Sequence, residues 1–205
     1  MPDPALTLHG SVLSGHVHRV VLLLRMLGLS YRFENAPREV RTTPVFRALN
    51  PLGQVPVLQD GDVVLADSNA ILVYLVRRYA PDSAWLPDEP VAAARLQRWF
   101  SLAASLLDLG PATARFSALI GRTIKPESQV MGHTLFALME AQLQREAWLV
   151  GNAPTLADIS LYSYSAQAGI GGIGLGDYPH LRAWLARVEA LPDFIPLPDR
   201  LAVAS

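Results

Sequence analysis

The sequence predicts two structural parts in series, a mixed α/β domain followed by an all-α domain. Three observations point this way. The first third of the chain alternates between strand-like and helix-like patches. The stretch from Ala80 to Pro90 then holds Pro81, Pro87 and Pro90 with acidic residues between them, the composition of a linker. Beyond it, strand signals nearly vanish and long helical patterns take over. Such a switch in pattern argues for two domains. The expected boundaries are 1–80 for the first, 81–90 for the linker and 91–205 for the second. A chain of 205 residues, 51% apolar and 17% charged, can bury a sizeable core and lies far from disordered compositions.

In chain order, Leu6 to His9 is a short strand. Val17, Val20, Val21, Leu24 and Leu27 then recur at helical spacing, and Gly28 supplies a stop. Leu29 to Glu34 reads as a second strand, whereas Asn35 to Asn50 is polar and carries no clear period. Val55 to Gln59 and Val63 to Ala66 flank Asp60-Gly61, the signature of a β-hairpin. Asp67 and Ser68 precede Ile71, Leu72, Leu75 and Val76, a helix ending near Tyr79. In the second part, Val91 to Leu109 is a long helix with Leu96, Trp99, Phe100, Ala103, Leu106 and Leu107 inward, which Gly110-Pro111 should bend or break. Ser128 to Leu149, Leu156 to Ala168 and Pro179 to Leu191 are further helices, with a glycine-rich loop over Gly169 to Gly176.

Charge and cysteine usage exclude several function classes. With 17 basic and 18 acidic residues, the net charge of −1 gives no electrostatic case for nucleic acid or an anionic membrane as partner. There is no cysteine, so any thiol chemistry needs a thiol brought in from outside. Met1-Pro2-Asp3-Pro4 lacks the features of a signal peptide, and charged residues or prolines interrupt every apolar run before it reaches a membrane-spanning length. A cytoplasmic location is expected.

Four segments carry candidate chemistry. Ser11 to Val20 joins a strand to the first turn of a helix, where unpaired N–H groups and partial positive charge suit an anion, including a thiolate. From this segment alone Ser14 reads first as a plain N-cap, with a hydrogen-bond donor to that anion as the alternative. In Asn50-Pro51-Leu52-Gly53-Gln54-Val55-Pro56, the proline sits where a central strand should begin; a cis Val55–Pro56 bond would resolve this and expose the Val55 backbone to a peptide-like ligand. Asp67-Ser68 opens a helix, where a carboxylate and a hydroxyl can meet the two charges of an α-amino acid head group or simply cap the helix. Thr155 and Asp158 form a capping box, with Pro154 and Ile159 as its staple, and read as structural.

Taken in order and spacing, the Gln-Val-Pro strand entry, the Asp-Ser helix entry and the Thr-Leu-Ala-Asp-Ile box resemble the cytosolic glutathione S-transferases over nearly the whole chain. The resemblance implies a thioredoxin-like first domain with a cis Pro56, an all-helical second domain that completes a pocket for a small hydrophobic electrophile, and a homodimer. Glutathione would be the cosubstrate, with no metal. The resemblance places it along the backbone of Val55, its γ-glutamyl end at Asp67 and Ser68, and its glycine carboxylate near Gln54. Ser14 matches the catalytic serine of theta- and zeta-like members, with Ser11 as runner-up, since no tyrosine lies in this loop. The zeta group's Ser-Ser-Cys run is not reproduced, which weakens a reading as a maleylacetoacetate isomerase. The electrophile pocket is expected from the loop after the first strand, the Val91–Leu109 helix and the C-terminal tail. A non-catalytic binding protein of this fold, and a glutathione-dependent isomerase or dehalogenase, are the alternatives.

Other residues read as structural. His16 and His18 are two apart and do not share a helix face, which disfavours a metal pair. Arg38 and Arg41 read as solvated charge, although both are within a segment that could reach glutathione's carboxylates. Trp99, Phe100 and Trp148 follow helical spacing and read as core or dimer interface.

Overall fold

The computed structural model describes residues 6–199. Contacts divide the chain into one unit of Met1–Pro81 with Pro192–Ser205, and another of Asp82–Leu191.

In the first unit, β1 (Leu6–Gly10), α1 (Gly15–Met26) and β2 (Tyr31–Asn35) form a βαβ element, with β1 and β2 parallel. The buried face of α1 includes Val17, Val20, Leu22, Leu23 and Leu24, and Gly28 leaves the helix at φ 64°. A hairpin of β3 (Val57–Asp60) and β4 (Val63–Ala66) completes a four-stranded mixed sheet in the order β2-β1-β3-β4. This is a thioredoxin-like arrangement. The final helix of the unit, α4 (Ser68–Tyr79), buries Ile71, Leu72, Leu75 and Val76.

The stretch without a legible period holds two short helices, α2 (Arg38–Arg41) and α3 (Pro44–Leu49). Thr43 caps α3, its hydroxyl oxygen accepting from the Phe46 N–H at 3.3 Å. Phe46 is the one buried residue of the two helices, so no repeating apolar face existed to be read. The segment after Pro192 also belongs with this unit. His18 Nε2 donates to the Ile195 carbonyl at 2.9 Å, and Arg25 Nε to the Asp193 carbonyl at 3.2 Å. Asp193 and Ile195, expected within a second domain of 91–205, are thus held by side chains of α1, far away in sequence.

All the regular structure of the second unit is helical. Glu89 caps α5 (Pro90–Leu102), its carboxylate accepting from Val91 and Ala92 N–H groups at 3.0 and 2.7 Å. Gly110-Pro111 does not break the helix that follows. The chain continues through a π-helical stretch, Ala103–Ala112, into α6 (Thr113–Leu119). The wider turn carries Pro111 inside it, and the Thr113 hydroxyl donates to the Asp108 carbonyl at 2.8 Å. Gly110 has a packing role here: a Cβ on it would lie 2.8 Å from the backbone nitrogen of Gly132 in α7 (Pro126–Leu143). The helix expected over 128–149 therefore starts slightly earlier and ends at Leu143, with turns up to Gly151.

Helix α8 (Leu156–Ala166) is buried along almost its whole length, and a 3-10 turn, Ala168–Gly171, opens the glycine-rich segment before α9 (Pro179–Glu189). Trp99, Phe100 and Trp148 are buried, and the Trp99 indole donates to the Leu149 carbonyl at 2.9 Å. Among the described residues no helix is long and apolar enough to cross a membrane.

Candidate active site

The register of the sheet decides which loops become neighbours. His9 of β1 lies opposite Val57 of β3, and Val57 lies opposite Ala66 of β4. The exit from β1, the entry to β3 and the exit from β4 thus share one end of the sheet. Adjacent strands are about 4.8 Å apart, so these three points span about 10 Å, the scale of a short peptide. Ser11–Ser14, Gln54–Pro56 and Asp67–Ser68 are the segments attached to them.

Ser14 is the N-cap of α1. Its Oγ accepts from the Val17 N–H at 3.4 Å, a long contact, while its backbone N–H donates to the Ser11 carbonyl at 3.0 Å. A hydroxyl has two lone pairs and one proton. Capping uses a lone pair and leaves the proton available, so the cap and the donor readings of Ser14 are compatible. No acidic residue stands in the first turn of α1 to oppose an anion there. Ser11 takes part through its backbone carbonyl.

Gln54 is exposed, and its backbone carbonyl accepts from Asn50 Nδ2 at 2.9 Å. The Val55–Pro56 bond is cis. Val55 lies outside the β3 ladder and packs its side chain against Ala36, Phe46 and Val57. Its backbone therefore stands beside the sheet end instead of inside the sheet.

Asp67 holds φ 72° and ψ 122°, a region that costs a non-glycine residue about 1–3 kcal/mol. Its Oδ1 caps α4 by accepting from the Ala70 N–H at 2.9 Å. Ser68, only 4% exposed, accepts at Oγ from the Arg19 guanidinium at 3.2 Å. Asn69 Oδ1 accepts from the same Arg19 nitrogen at 3.1 Å.

Arg19 and Asn69 were not identified from sequence. The available signal was an arginine, next to His18, at the start of the apolar run Val20–Leu24. Of the residues set aside, Arg38 is exposed and Arg41 half-buried, its carbonyl 2.9 Å from where a Gly53 Cβ would be. His18 is buried against Ile195 and His16 is half-buried at the start of α1. The part of the C-terminal tail beyond residue 199 lies outside the described residues.

Comparison with known proteins matches both parts of the chain to one family. Residues 8–83 match the family model of the glutathione S-transferase N-terminal domain, and residues 124–192 that of the C-terminal domain. Glutathione S-transferase 3 of Zea mays is 32% identical, over 94% of this chain and 96% of its own length. Glutathione S-transferase GstB of Escherichia coli (strain K12) is 30% identical, over 91% and 94%. A crystal structure of a glutathione S-transferase from Pseudomonas fluorescens superposes with a TM-score of 0.88 at 32% identity, covering 94% of this chain and 98% of that one. The theta class enzyme from Xanthomonas axonopodis pv. citri, solved with glutathione bound, superposes with a TM-score of 0.79 at 31% identity, covering 93% and 95%.

Proposed function

The chain belongs to the glutathione S-transferase family, and we propose that it works as a serine-type enzyme of that family, promoting attack of glutathione on a small hydrophobic electrophile. The observation that carries this reading is the sheet register. It brings the N-terminus of α1, the Gln54–Pro56 entry to β3 and the N-terminus of α4 to one end of the sheet.

Each element has a role in this reading. Val55 pairs through its backbone with the peptide. Asp67 receives the ammonium and Ser68 the carboxylate of the γ-glutamyl end, while Gln54 meets the glycine carboxylate. Pro56 shapes the turn between them. Glutathione supplies the nucleophilic thiol that this cysteine-free chain lacks. Ser14 donates to the sulfur and favours the thiolate.

Magnitudes support that assignment. A free thiol with a pKa of about 8.5 is only about 3% thiolate at pH 7. Lowering it by about 2 units corresponds to about 2.7 kcal/mol. A hydrogen bond to a charged group contributes about 1.5–3 kcal/mol, and a helix N-terminus about 0.3–1 kcal/mol. One serine on one helix end suffices. In the transfer itself a sulfur–carbon bond forms, the leaving group departs with its electron pair, and the thiol proton passes to solvent. A second copy of the chain and the electrophile complete the set of partners in this reading.

Calorimetry with glutathione, combined with product analysis on a halogenated aromatic electrophile, tests the proposal. The expected result is saturable binding and accumulation of a thioether. Binding without turnover across a broad electrophile panel would make the chain a binding protein, and absence of binding would overturn the reading altogether.

A further inference from the structure

We infer that Arg19 is a positioning residue that fixes the hydrogen-bond polarity of the α4 N-terminus, making Ser68 and Asn69 donors toward the ligand and so selecting a carboxylate there. This rests on the glutathione-binding role proposed for Ser68.

Arg19 is 1% exposed and stands in the second turn of α1. From there its Nη1 reaches both Ser68 Oγ at 3.2 Å and Asn69 Oδ1 at 3.1 Å, on the first turn of α4. A guanidinium has only donors. Both contacts therefore oblige the partner atoms to act as acceptors.

For Asn69 this settles the orientation of the amide, with the oxygen toward Arg19 and the NH₂ turned away. For Ser68 it uses a lone pair and leaves the hydroxyl proton to be given elsewhere. Ser68 is 4% exposed, and no acceptor for that proton is present among the described residues. A buried donor of this kind is costly unless a ligand accepts from it. A carboxylate only accepts. It also gains from the backbone N–H groups at the start of α4 and from the guanidinium charge beneath them. Without Arg19, Ser68 is free to rotate its proton inward and Asn69 to flip its amide. Either change would turn an acceptor toward an incoming carboxylate.

The test uses the full-length protein and two ligands, glutathione and its analogue lacking the α-carboxylate, γ-aminobutyryl-cysteinylglycine, with Kd measured by calorimetry. Arg19→Met should weaken glutathione about tenfold or more while leaving the analogue's Kd within about twofold. Arg19→Lys, which keeps a donor-only charged group, should fall between Arg19→Met and the parent. If Arg19→Met does not fold, Arg19→Lys and Ser68→Ala carry the comparison, and each must lose preference for glutathione over the analogue. Equal weakening of both ligands, or an unchanged preference, overturns the inference and leaves Arg19 as a packing residue. If the unsubstituted chain binds neither ligand, it is the glutathione reading itself that fails.

Discussion

The Trp184 indole N–H donates to Asp158 Oδ1 at 2.8 Å, joining the last helix to the capping box of α8. Asp158 is fully buried and also accepts from the Leu149 N–H at 3.1 Å and from the Thr155 N–H and hydroxyl at 2.8 and 3.1 Å. Burial pushes its carboxyl up, and the four donated hydrogen bonds act in the opposite direction. One short carboxylate thus ties α8, α9 and the turn before α8 together.

Replacing Asp158 with alanine would strand these donors in the core. The expected loss is about 3–5 kcal/mol of unfolding free energy. Urea titration followed by tryptophan fluorescence measures it. A midpoint unchanged from the parent would show that the network contributes nothing to stability.

Ser14→Ala should raise the pKa of the bound glutathione thiol by about 1–2 units, the worth of one hydrogen bond to a charged sulfur. Ultraviolet titration of the thiolate band in the binary complex reads this directly, together with kcat at pH 6.5, roughly the sequence pI. Ser11→Ala should leave the titration in place. The reverse pattern would move the catalytic role to Ser11.

Asp67→Gly separates ligand binding from folding. Glycine relieves the backbone cost at φ 72° but removes the carboxylate proposed to meet the ammonium group. Glutathione affinity should fall about tenfold or more, while the thermal midpoint stays level or rises. A fall in both would mean that the cap to Ala70 outweighs the backbone strain.

Gly110→Ala should destabilise the second unit by roughly 1–3 kcal/mol, because the added Cβ meets backbone and not a movable side chain. Its nearest neighbours would be Gly132 N at 2.8 Å and Ser128 O at 3.1 Å. Calorimetric melting measures the change. Gly121, whose Cβ would meet nothing within 4 Å, is a control for space but carries φ 67°, so Gly174, open and without that angle, is the better comparison.

Tyr79 sets an alkaline limit. Partial burial and its hydrogen bond to the Asp60 carboxylate at 2.5 Å push its phenol up to about 12, and Tyr74, which donates to the same oxygen, is also raised. The folded state favours the neutral phenol, so this stabilisation is complete below about pH 10, the unfolded value, and is lost as pH rises toward the folded one. Tyr79→Phe should flatten the alkaline decline in urea midpoint. An identical decline in both proteins would place its origin elsewhere.

The sequence by itself determined whatever depends on near neighbours. The Asp60-Gly61 hairpin, the Asp67-Ser68 entry to α4 and the Thr155–Asp158 box are each written in a few consecutive residues, because turns and caps are closed by local hydrogen bonds. Tertiary structure alone decided what depends on distant partners. The placement of β1 between β2 and β3 sets His9, Val57 and Ala66 in one row and makes neighbours of three loops. Arg19 gains its meaning only when α4 is packed beside α1, and Gly110 only when α7 brings the backbone nitrogen of Gly132 within 2.8 Å of where a Cβ would lie. Strand pairing and the satisfaction of buried polar groups are settled by whichever surface folding brings opposite, and no spacing along the chain records that surface.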